Sequence, residues 1–322
     1  MKSLFLQAFI ILWLVVAGSC GSKQQAKKGG LQGEISVSGA FALYPLAVKW
    51  AEEFQNLHPG VRIDVSAGGA GKGMTDVLAN AVDLGMVSRE IYPPEIDKGA
   101  VAFAVAKDAV VATVNVQNPD REDLLKTGLT RDAAIKLWIT SEYKTWGQVA
   151  GSASTNAVHV YTRSDACGAA ETWALWMDKK QEDLVGTGVF GDPGLATAIQ
   201  KDVLGIGLNN IGYVYDETSR KPNPGMIPLP IDVNNNGILD PEELFYDTKD
   251  SFIKAIGEDR YPSPPARDLY LVSKGIPVKP EVIEFVRYIL SDGQKHNIPT
   301  GYISLPEEKL HRGLVKLGTE KQ

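Results

Sequence analysis

The chain has 322 residues, 44% of them hydrophobic and 22% charged, with a net charge of −6 at pH 7. This is an ordinary globular composition, and the negative charge argues against nucleic acid as a partner. The length predicts two lobes rather than one small core. The sequence contains only 2 cysteines, so no intrachain disulfide framework is expected and Cys167 is predicted to be a free thiol.

The N-terminus predicts export. Lys2 is followed by an apolar run over residues 4–16, then by small residues and Cys20. The run is shorter than the roughly 20 residues of a membrane span, so residues 1–20 are predicted to be a secretory signal. Cys20 lies where bacterial lipoproteins are cleaved and lipidated, although Ala17 replaces the usual Leu. An ordinary cleaved signal is the alternative.

Residues 21–33 carry lysines and adjacent glycines without apolar periodicity, which is typical of a flexible tether. A lipid anchor followed by a tether predicts a protein held at a membrane, in the periplasm or at the cell surface.

Beyond the tether, short apolar strands alternate with amphipathic helices, which indicates α/β architecture. Further strands are predicted at 110–116, 211–215 and 269–272, and Thr130 is predicted to cap a helix. In three places a strand ends in a turn of small residues that opens a helix. The first strand begins at 35–37 and ends in 38–40, and its helix has Pro45 in the first turn and runs to residue 57. The other two sets of strand, turn and helix are 61–65, 67–73 and 74–81, and 158–162, 163–169 and 170–177.

These three turns predict an anion site. The first N–H groups of a helix have no partner inside the helix, and the macrodipole places partial positive charge there. Small residues let a ligand approach the main chain. Glycines that only serve tight turns are the alternative for any one segment. A nucleotide-binding P-loop is excluded at residues 68–73, because Gly73 follows Lys72 where Ser or Thr is required.

Two arginines, Arg89 and Arg163, lie at or just beyond strand ends in a small-residue context. A guanidinium presents a fork of donors that suits a tetrahedral oxyanion. A solvated or structural ion pair is the alternative for each. Asp165 either accepts the proton of a monoprotonated oxyanion or caps the following helix.

Residues 232–243 (DVNNNGILDPEE) fit the twelve-residue EF-hand calcium loop at every side-chain position, with Gly237 at the sharp turn. An Asn-rich β-turn is the alternative. Two prolines within residues 226–231 exclude the usual preceding helix, so the loop is predicted to bind structural calcium as a clip rather than as a sensor. The predicted ligands are Asp232, Asn234, Asn236, the carbonyl of Ile238, Asp240 and Glu243.

No catalytic set is indicated. The 4 histidines are scattered without metal-ligand spacing, and no Ser/His/Asp or Cys/His arrangement is present. Cys167, in a glycine turn, is predicted to be a small apolar filler, and a thiolate of low pKa at a helix N-terminus is the alternative. The chain is therefore predicted not to be an enzyme, and no catalytic cofactor is expected.

Several segments together resemble the phosphate-binding proteins of bacterial ABC transporters. The resemblance spans most of residues 35–305 and implies a type II periplasmic-binding-protein fold. In that fold two α/β lobes are joined by two crossover segments, with the ligand in the cleft between them. Lobe 1 would comprise residues 34–108 and 267–322, and lobe 2 residues 109–266 with the EF-hand-like loop. The matching segments are SGAFALYPLA (38–47), WAEEF (50–54), AGGAGKG (67–73), DLGMVSR (83–89), residues 130–138 with Trp146, RSDACGA (163–169), YP (261–262) and LYLV (269–272).

The resemblance also implies a function: a monomeric solute-binding lipoprotein that captures an inorganic oxyanion, phosphate first, for import by an ABC permease. A cell-surface anion sensor or interaction protein on the same fold is the alternative, as is an oxyanion other than phosphate. The implied anion-binding residues are Ala40, Phe41, Ala42, Leu43, Ala70, Gly71, Ser88, Arg89, Arg163, Cys167, Gly168 and Ala169.

The sequence departs from the family where the family usually offers hydroxyl side chains. Phe41 and Ala42 occupy the first turn, Ala70 the second, and Cys167 and Ala169 the third. Each lost charge-assisted hydrogen bond costs about 1–3 kcal/mol. We therefore expect either main-chain compensation or a less demanding anion.

Overall fold

The computed structural model describes residues 30–318, and the residues from Gln32 onward form one compact unit. The predicted signal peptide and Cys20 lie outside the described residues, as does most of the predicted tether. Over the described range, no helix combines the length and the apolar character that crossing a membrane requires.

The strands of the described residues form one mixed sheet. They are β1 (Gln32–Gly39), β2 (Gly60–Ala67), β3 (Leu84–Val87), β4 (Ala100–Asn115), β5 (His159–Arg163), β6 (Thr187–Val189), β7 (Gly205–Asn210), β8 (Met226–Pro228) and β9 (Ala266–Lys274). Their order is β2-β1-β3-β9-β4-β7-β5-β6, with β8 also paired to β4. Strand β1 is parallel to β2 and β3, and β5 is parallel to β6 and β7, whereas β9 is antiparallel to β3 and β4.

Helices pack along this sheet, and the hydroxyl of Thr130 caps one of them by accepting from the Ala133 N–H at 3.0 Å, as predicted. The α-helices are α1 (Tyr44–Leu57), α2 (Ala70–Leu78), α3 (Pro93–Asp97), α4 (Arg121–Thr127), α5 (Arg131–Trp138), α6 (Trp146–Ala150), α7 (Gly168–Trp176), α8 (Asp192–Lys201), α9 (Ile211–Val214), α10 (Lys249–Gly257), α11 (Pro280–Leu290), α12 (Asn297–Thr300) and α13 (Glu307–Leu317). Three 3-10 turns lie at Gln181–Asp183, Pro241–Glu243 and Asp292–His296.

Two strands carry the chain from one half of the sheet to the other. The first part of β4 pairs with β9, and its last residues pair with β7 and β8. Strand β4 stays paired with β9 through Ala109, opposite Ala266, and pairs with β7 from Val110 onward. We call the part with β1, β2 and β3 the first half, and the part with β5 to β8 the second half.

The second half has a large apolar core, because the last part of β4 is buried on both faces. The rings of Trp138 and Trp173 meet edge to face, with centroids 5.4 Å apart, and the Trp138 indole N–H donates to the Tyr161 carbonyl at 3.0 Å. This core fixes the ends of the strands that lead to the candidate site.

The strand predicted at residues 211–215 was wrong. The strand is β7, which ends at Asn210 opposite Val110, and the chain then turns into the short helix α9. Ile211 and Val214 are both buried, and their i, i+3 spacing places them on one face of a helical turn. A short apolar run is compatible with either structure, and packing against β4 decided between them.

Candidate anion-binding site

Four turns of small residues meet between the two halves of the sheet, each at the end of a strand that leads into a helix. The sequence reasoning identified the first three and missed the fourth. Turn 1 is 40–43, between β1 and α1; turn 2 is 68–69, between β2 and α2; turn 3 is 164–167, between β5 and α7; turn 4 is 190–191, between β6 and α8.

Direct contacts join the first half to the second at these turns. The Gly71 N–H donates to the Ala166 carbonyl at 3.2 Å. A Cβ placed on Gly168 would lie 2.0 Å from the Ser88 carbonyl oxygen and 2.4 Å from its hydroxyl oxygen. Only glycine allows this approach, so the sequence requires Gly168 here for a steric reason.

Arg163 lies at the centre of the site with a side chain that is 0% exposed. Its Nε donates to Asp165 Oδ1 at 2.9 Å and its Nη2 to Asp165 Oδ2 at 2.6 Å. Its Nη1 donates to Asp192 Oδ2 at 2.7 Å. Burial lowers the pKa of Arg163, but the carboxylates of Asp192 and Asp165 outweigh it and raise the pKa above its ordinary value. Three of the five guanidinium N–H groups are therefore used, and two are left for a ligand.

The helix N-termini supply further donors. Among the described residues, no acceptor is found for five predicted main-chain N–H groups, and their helices direct partial positive charge to the same place. They are those of Phe41, Ala42, Ala70, Gly168 and Ala169.

Two of the predicted main-chain donors, and the N–H of the predicted site residue Ala40, are instead used within the protein. The Ala40 N–H donates to the Met86 carbonyl at 2.9 Å, and the Leu43 N–H donates to the Ala40 carbonyl at 3.1 Å. The Gly71 N–H is taken by Ala166. The N–H groups of Leu43 and Gly71 were predicted to be free because the sequence does not show which carbonyls approach a turn.

Phe41 brings a ring rather than a hydroxyl to the site. Its ring meets the Phe190 ring at 87°, with centroids 6.2 Å apart, and the Arg163 Cζ lies 5.9 Å from its centroid. The Tyr213 hydroxyl donates to the Phe41 carbonyl at 3.1 Å. Burial raises the pKa of Tyr213, so this hydroxyl stays protonated.

Arg89 lies beside the site but is held by its own half. Its guanidinium donates to both oxygens of Glu95, at 2.9 and 2.7 Å, and lies 4.1 Å from the Tyr92 ring centroid. The alternative given above for this residue, a structural ion pair, therefore describes it in this structure.

Cys167 is buried, and its Sγ accepts from the Ala170 N–H at 3.4 Å as the cap of α7. Burial raises the pKa of the Cys167 thiol to about 12, although Arg163 acts in the opposite direction. The thiolate alternative for Cys167 is therefore wrong.

A cavity of about 890 Å³ lies beside turn 3. The first half lines it with Gly71 and Tyr92, and the second half with Arg163, Cys167 and Leu184. A ligand entering it would thus meet residues of both halves.

The residues that sequence reasoning missed are Asp192 and Asn210. Asp192 opens α8 directly after turn 4 (FG, followed by DPG), which is a fourth strand–turn–helix signal in the sequence. Asn210 ends β7 and binds the second carboxylate oxygen of Asp192. No local pattern marks Asn210, because its role depends on which strand lies beside β5.

The predicted calcium loop adopts a compact turn. The Asp232 carboxylate accepts from the N–H groups of Asn236 and Gly237, at 3.3 and 2.8 Å. The side-chain amides of Asn234 and Asn236 donate to Asp240, at 2.7 and 2.9 Å.

Glu243 closes this loop. Its two carboxylate oxygens accept from the N–H groups of Val233 and Asp240, at 2.7 and 3.0 Å. Ile238 is exposed. Within residues 30–318, no group of three or more His, Cys, Asp or Glu side chains is arranged to hold a metal ion. The predicted calcium ligands lie in one loop. Main-chain N–H groups donate to the carboxylates at its two ends, Asp232 and Glu243.

The sheet order, the strand pair β4–β9 and a cleft lined by both halves define a two-lobed α/β ligand-binding protein. A family model described as the PBP superfamily domain matches residues 24–293. The chain therefore belongs to the PBP superfamily, and the predicted periplasmic-binding-protein fold is confirmed.

Relatives with reviewed names are similar along most of the chain. The phosphate-binding protein PstS of Pseudomonas aeruginosa is 25% identical over 320 residues, which cover 91% of this chain and 89% of that protein. PstS of Methanocaldococcus jannaschii is 23% identical, covering 87% and 84%. The match to PstS of Bacillus subtilis, 25% identical, spans only 59% of that protein and 54% of this chain.

Solved structures show the same fold. A Clostridium perfringens protein solved with bound phosphate superposes with a TM-score of 0.69 at 19% identity, covering 85% of this chain and 100% of that one. An ABC-type phosphate transport receptor from Vibrio cholerae gives 0.60 at 20% identity, covering 84% and 100%.

Proposed function

We propose that this protein is a solute-binding component that captures an inorganic oxyanion, phosphate first, and delivers it to an ABC permease. The observation that carries the proposal is Arg163, a fully buried guanidinium with two N–H groups left over among converging helix N-termini. The names of the relatives supply phosphate as the first candidate. A binding role without catalysis agrees with the protonated Cys167 thiol.

The proposed ligand contacts follow from the donors that remain. Arg163 would provide two N–H groups, turn 1 those of Phe41 and Ala42, α2 that of Ala70, and α7 those of Gly168 and Ala169. The Ser88 hydroxyl, beside Gly168, would be the one hydroxyl donor from the predicted set.

The site is short of hydroxyl donors and rich in carboxylates. Asp165 and Asp192 both face Arg163, so a bound anion must share one cation with two negative charges. A protonated oxyanion can donate to such carboxylates, whereas a fully deprotonated one cannot. We therefore expect weaker binding than a hydroxyl-rich site would give, and a different oxyanion is the outcome to look for if phosphate fails.

The predicted lobe limits, residues 34–108 with 267–322 and residues 109–266, belong to this proposal, as do lipidation of Cys20 and a monomeric state. The change of partner along β4 falls between Ala109 and Val110, within one residue of the predicted limit, and supports it. Closure would then be a rotation about the strand pair β4–β9.

Calorimetric titration with phosphate, after stripping of endogenous ligand, tests the proposal. We expect saturable heat for the purified protein and loss of at least tenfold in affinity for Arg163→Lys, because an ammonium cannot replace the guanidinium fork. Arg62→Lys, an exposed arginine on β2, is the control and should bind normally. No heat with phosphate would refute phosphate as the ligand, and native mass spectrometry would then show which anion co-purifies.

We also infer that residues 232–243 bind one calcium ion as a structural clip in lobe 2. The support is the match at every position of the twelve-residue pattern and the gathering of Asp232, Asn234, Asn236 and Asp240 in one turn. Calcium would have to draw Glu243 from its two main-chain partners.

The calcium test is thermal unfolding. EDTA should lower the Tm of the purified protein and calcium should restore it, whereas Glu243→Gln should respond to neither. Glu242→Gln, which changes the neighbouring residue, is the control and should behave as the original protein does. An unchanged Tm after complete chelation would reduce the loop to an Asn-rich turn.

A further inference from the structure

A continuous series of buried polar side chains runs from Arg163 to the strand pair β4–β9. Arg163 donates to one carboxylate oxygen of Asp192, and the Asn210 amide N–H donates to the other. The Asn210 amide oxygen accepts from Arg267, which pairs with Asp108. We call these five residues the buried polar chain.

Arg267 connects three elements of the fold. Its Nε donates to Asp108 Oδ1 at 2.9 Å, across the β4–β9 ladder. Its Nη1 donates to the Thr172 hydroxyl at 3.2 Å, on α7. Its Nη2 donates to Asn210 at the end of β7. Arg267 thus ties the strand pair, at the point where β4 changes partner, to two elements of the second half.

Every member of the chain is buried. Over the whole residue, main chain included, the exposed fractions are 5% for Arg163, 2% for Asp192, Asn210 and Asp108, and 7% for Arg267. Buried charges are stable only when paired and hydrogen-bonded, so each member depends on its neighbours. Burial raises the pKa of Asp108, and pairing with Arg267 opposes that shift. Asp108 therefore depends on Arg267 to keep its negative charge.

The orientation of Arg163 follows from this dependence. Asp165 holds one edge of its guanidinium. Within the part of the chain that the structure describes, Asp192 alone accepts from the other edge, and its second oxygen accepts from Asn210. A shift of Arg267 relative to the second half would release Asn210 and then Asp192. The ligand-facing N–H groups of Arg163 would move with them.

We propose that Asn210 and Arg267 are positioning residues for the anion site: through Asp192 they hold Arg163 ready for the ligand, and they link its position to the strand pair about which the lobes rotate. This inference rests on the proposed function. Neither residue needs to touch the ligand.

A neighbouring residue provides a matched control. Asn209 is also fully buried on β7, but it lies outside the buried polar chain and donates to the Thr113 hydroxyl at 2.6 Å. Asn209→Ala and Asn210→Ala remove the same side chain at adjacent positions, and both should lower the Tm.

The experiment compares phosphate affinity by calorimetry and the radius of gyration of the ligand-free protein by small-angle X-ray scattering. Asn210→Ala should bind phosphate at least tenfold more weakly and should be more expanded than the original protein. Asn209→Ala should match the original protein in both measurements. If Asn210→Ala does not fold, Arg267→Lys, which keeps the charge and loses the fork, should give the same pair of effects.

Equal affinity in Asn210→Ala and Asn209→Ala, or equal loss in both, would overturn the positioning role. Weaker binding without expansion would support the positioning of Arg163 and overturn its link to the strand pair. If the original protein does not bind phosphate, the proposed function fails, and the scattering comparison still decides the link.

Discussion

Gly168→Ala should separate folding from ligand capture. Gly168 is the first residue of α7 and has no positive φ, so the backbone conformation itself is open to alanine. The added Cβ, however, would lie 2.0 Å from the Ser88 carbonyl oxygen. Because this backbone contact joins the two halves, the variant must hold them apart at turn 3.

The magnitude follows from the donors that the shift withdraws. The N–H groups of Gly168 and Ala169 are two proposed contacts to the anion, and hydrogen bonds to charged groups contribute about 1.5–3 kcal/mol each. Loss of both at the lower limit is about 3 kcal/mol, or roughly a hundredfold in affinity. Calorimetry with phosphate measures this loss, and thermal unfolding measures separately what the displaced Ser88 contact costs the fold.

Gly212→Ala is the control for this substitution. Gly212 is also helical, in α9, and a Cβ there would meet nothing within 4 Å. It should leave affinity unchanged. Phosphate affinity of Gly168→Ala within threefold of the original would refute the reasoning that closure at Ser88 brings the α7 donors to the ligand.

Two further predictions concern ionisable groups. The pKa of about 12 for the Cys167 thiol leaves about one molecule in ten thousand as thiolate at pH 8. Iodoacetamide should therefore alkylate Cys167 very slowly in the native protein and quickly in the unfolded protein, as peptide mass spectrometry would measure; rapid native alkylation of Cys167 would contradict the burial argument. Burial and Arg220 lower the pKa of Lys249 to about 8. Below that pH the buried charge destabilises the fold, and the penalty is relieved as the pH rises from about 8 toward the unfolded value near 10.5. The free energy of unfolding should therefore increase by up to about 3 kcal/mol over this window relative to Lys249→Met, as urea titrations at pH 7 and 10 would measure; parallel curves would contradict it.

The sequence by itself determined the elements that open the site. The runs into turns 1, 2 and 3 predicted strands that end in small residues and helices that begin there, because periodicity and glycine are local signals. The same signals placed Arg163 at the end of β5 and Cys167 at the start of α7. The EF-hand-like pattern of residues 232–243 is also a local signal, since all of its predicted ligands lie within twelve consecutive residues, and calcium binding there stays a prediction.

Only the tertiary structure decided which donors remain available and what orients them. Gly71 and Leu43 carry N–H groups that the sequence predicts to be free, yet carbonyls from Ala166 and Ala40 occupy them. Arg89 and Arg163 look equivalent in sequence, but Glu95 holds the first within its own half.

Arg163 donates to Asp192, which in turn accepts from Asn210, and these two partners come from a helix and a strand distant in sequence. Hydrogen-bond partners across a fold depend on sheet order and on the approach of separate turns. Local sequence patterns specify neither. The sequence therefore predicts the turns that line the cleft, whereas the pairing of the charged side chains there depends on the tertiary structure.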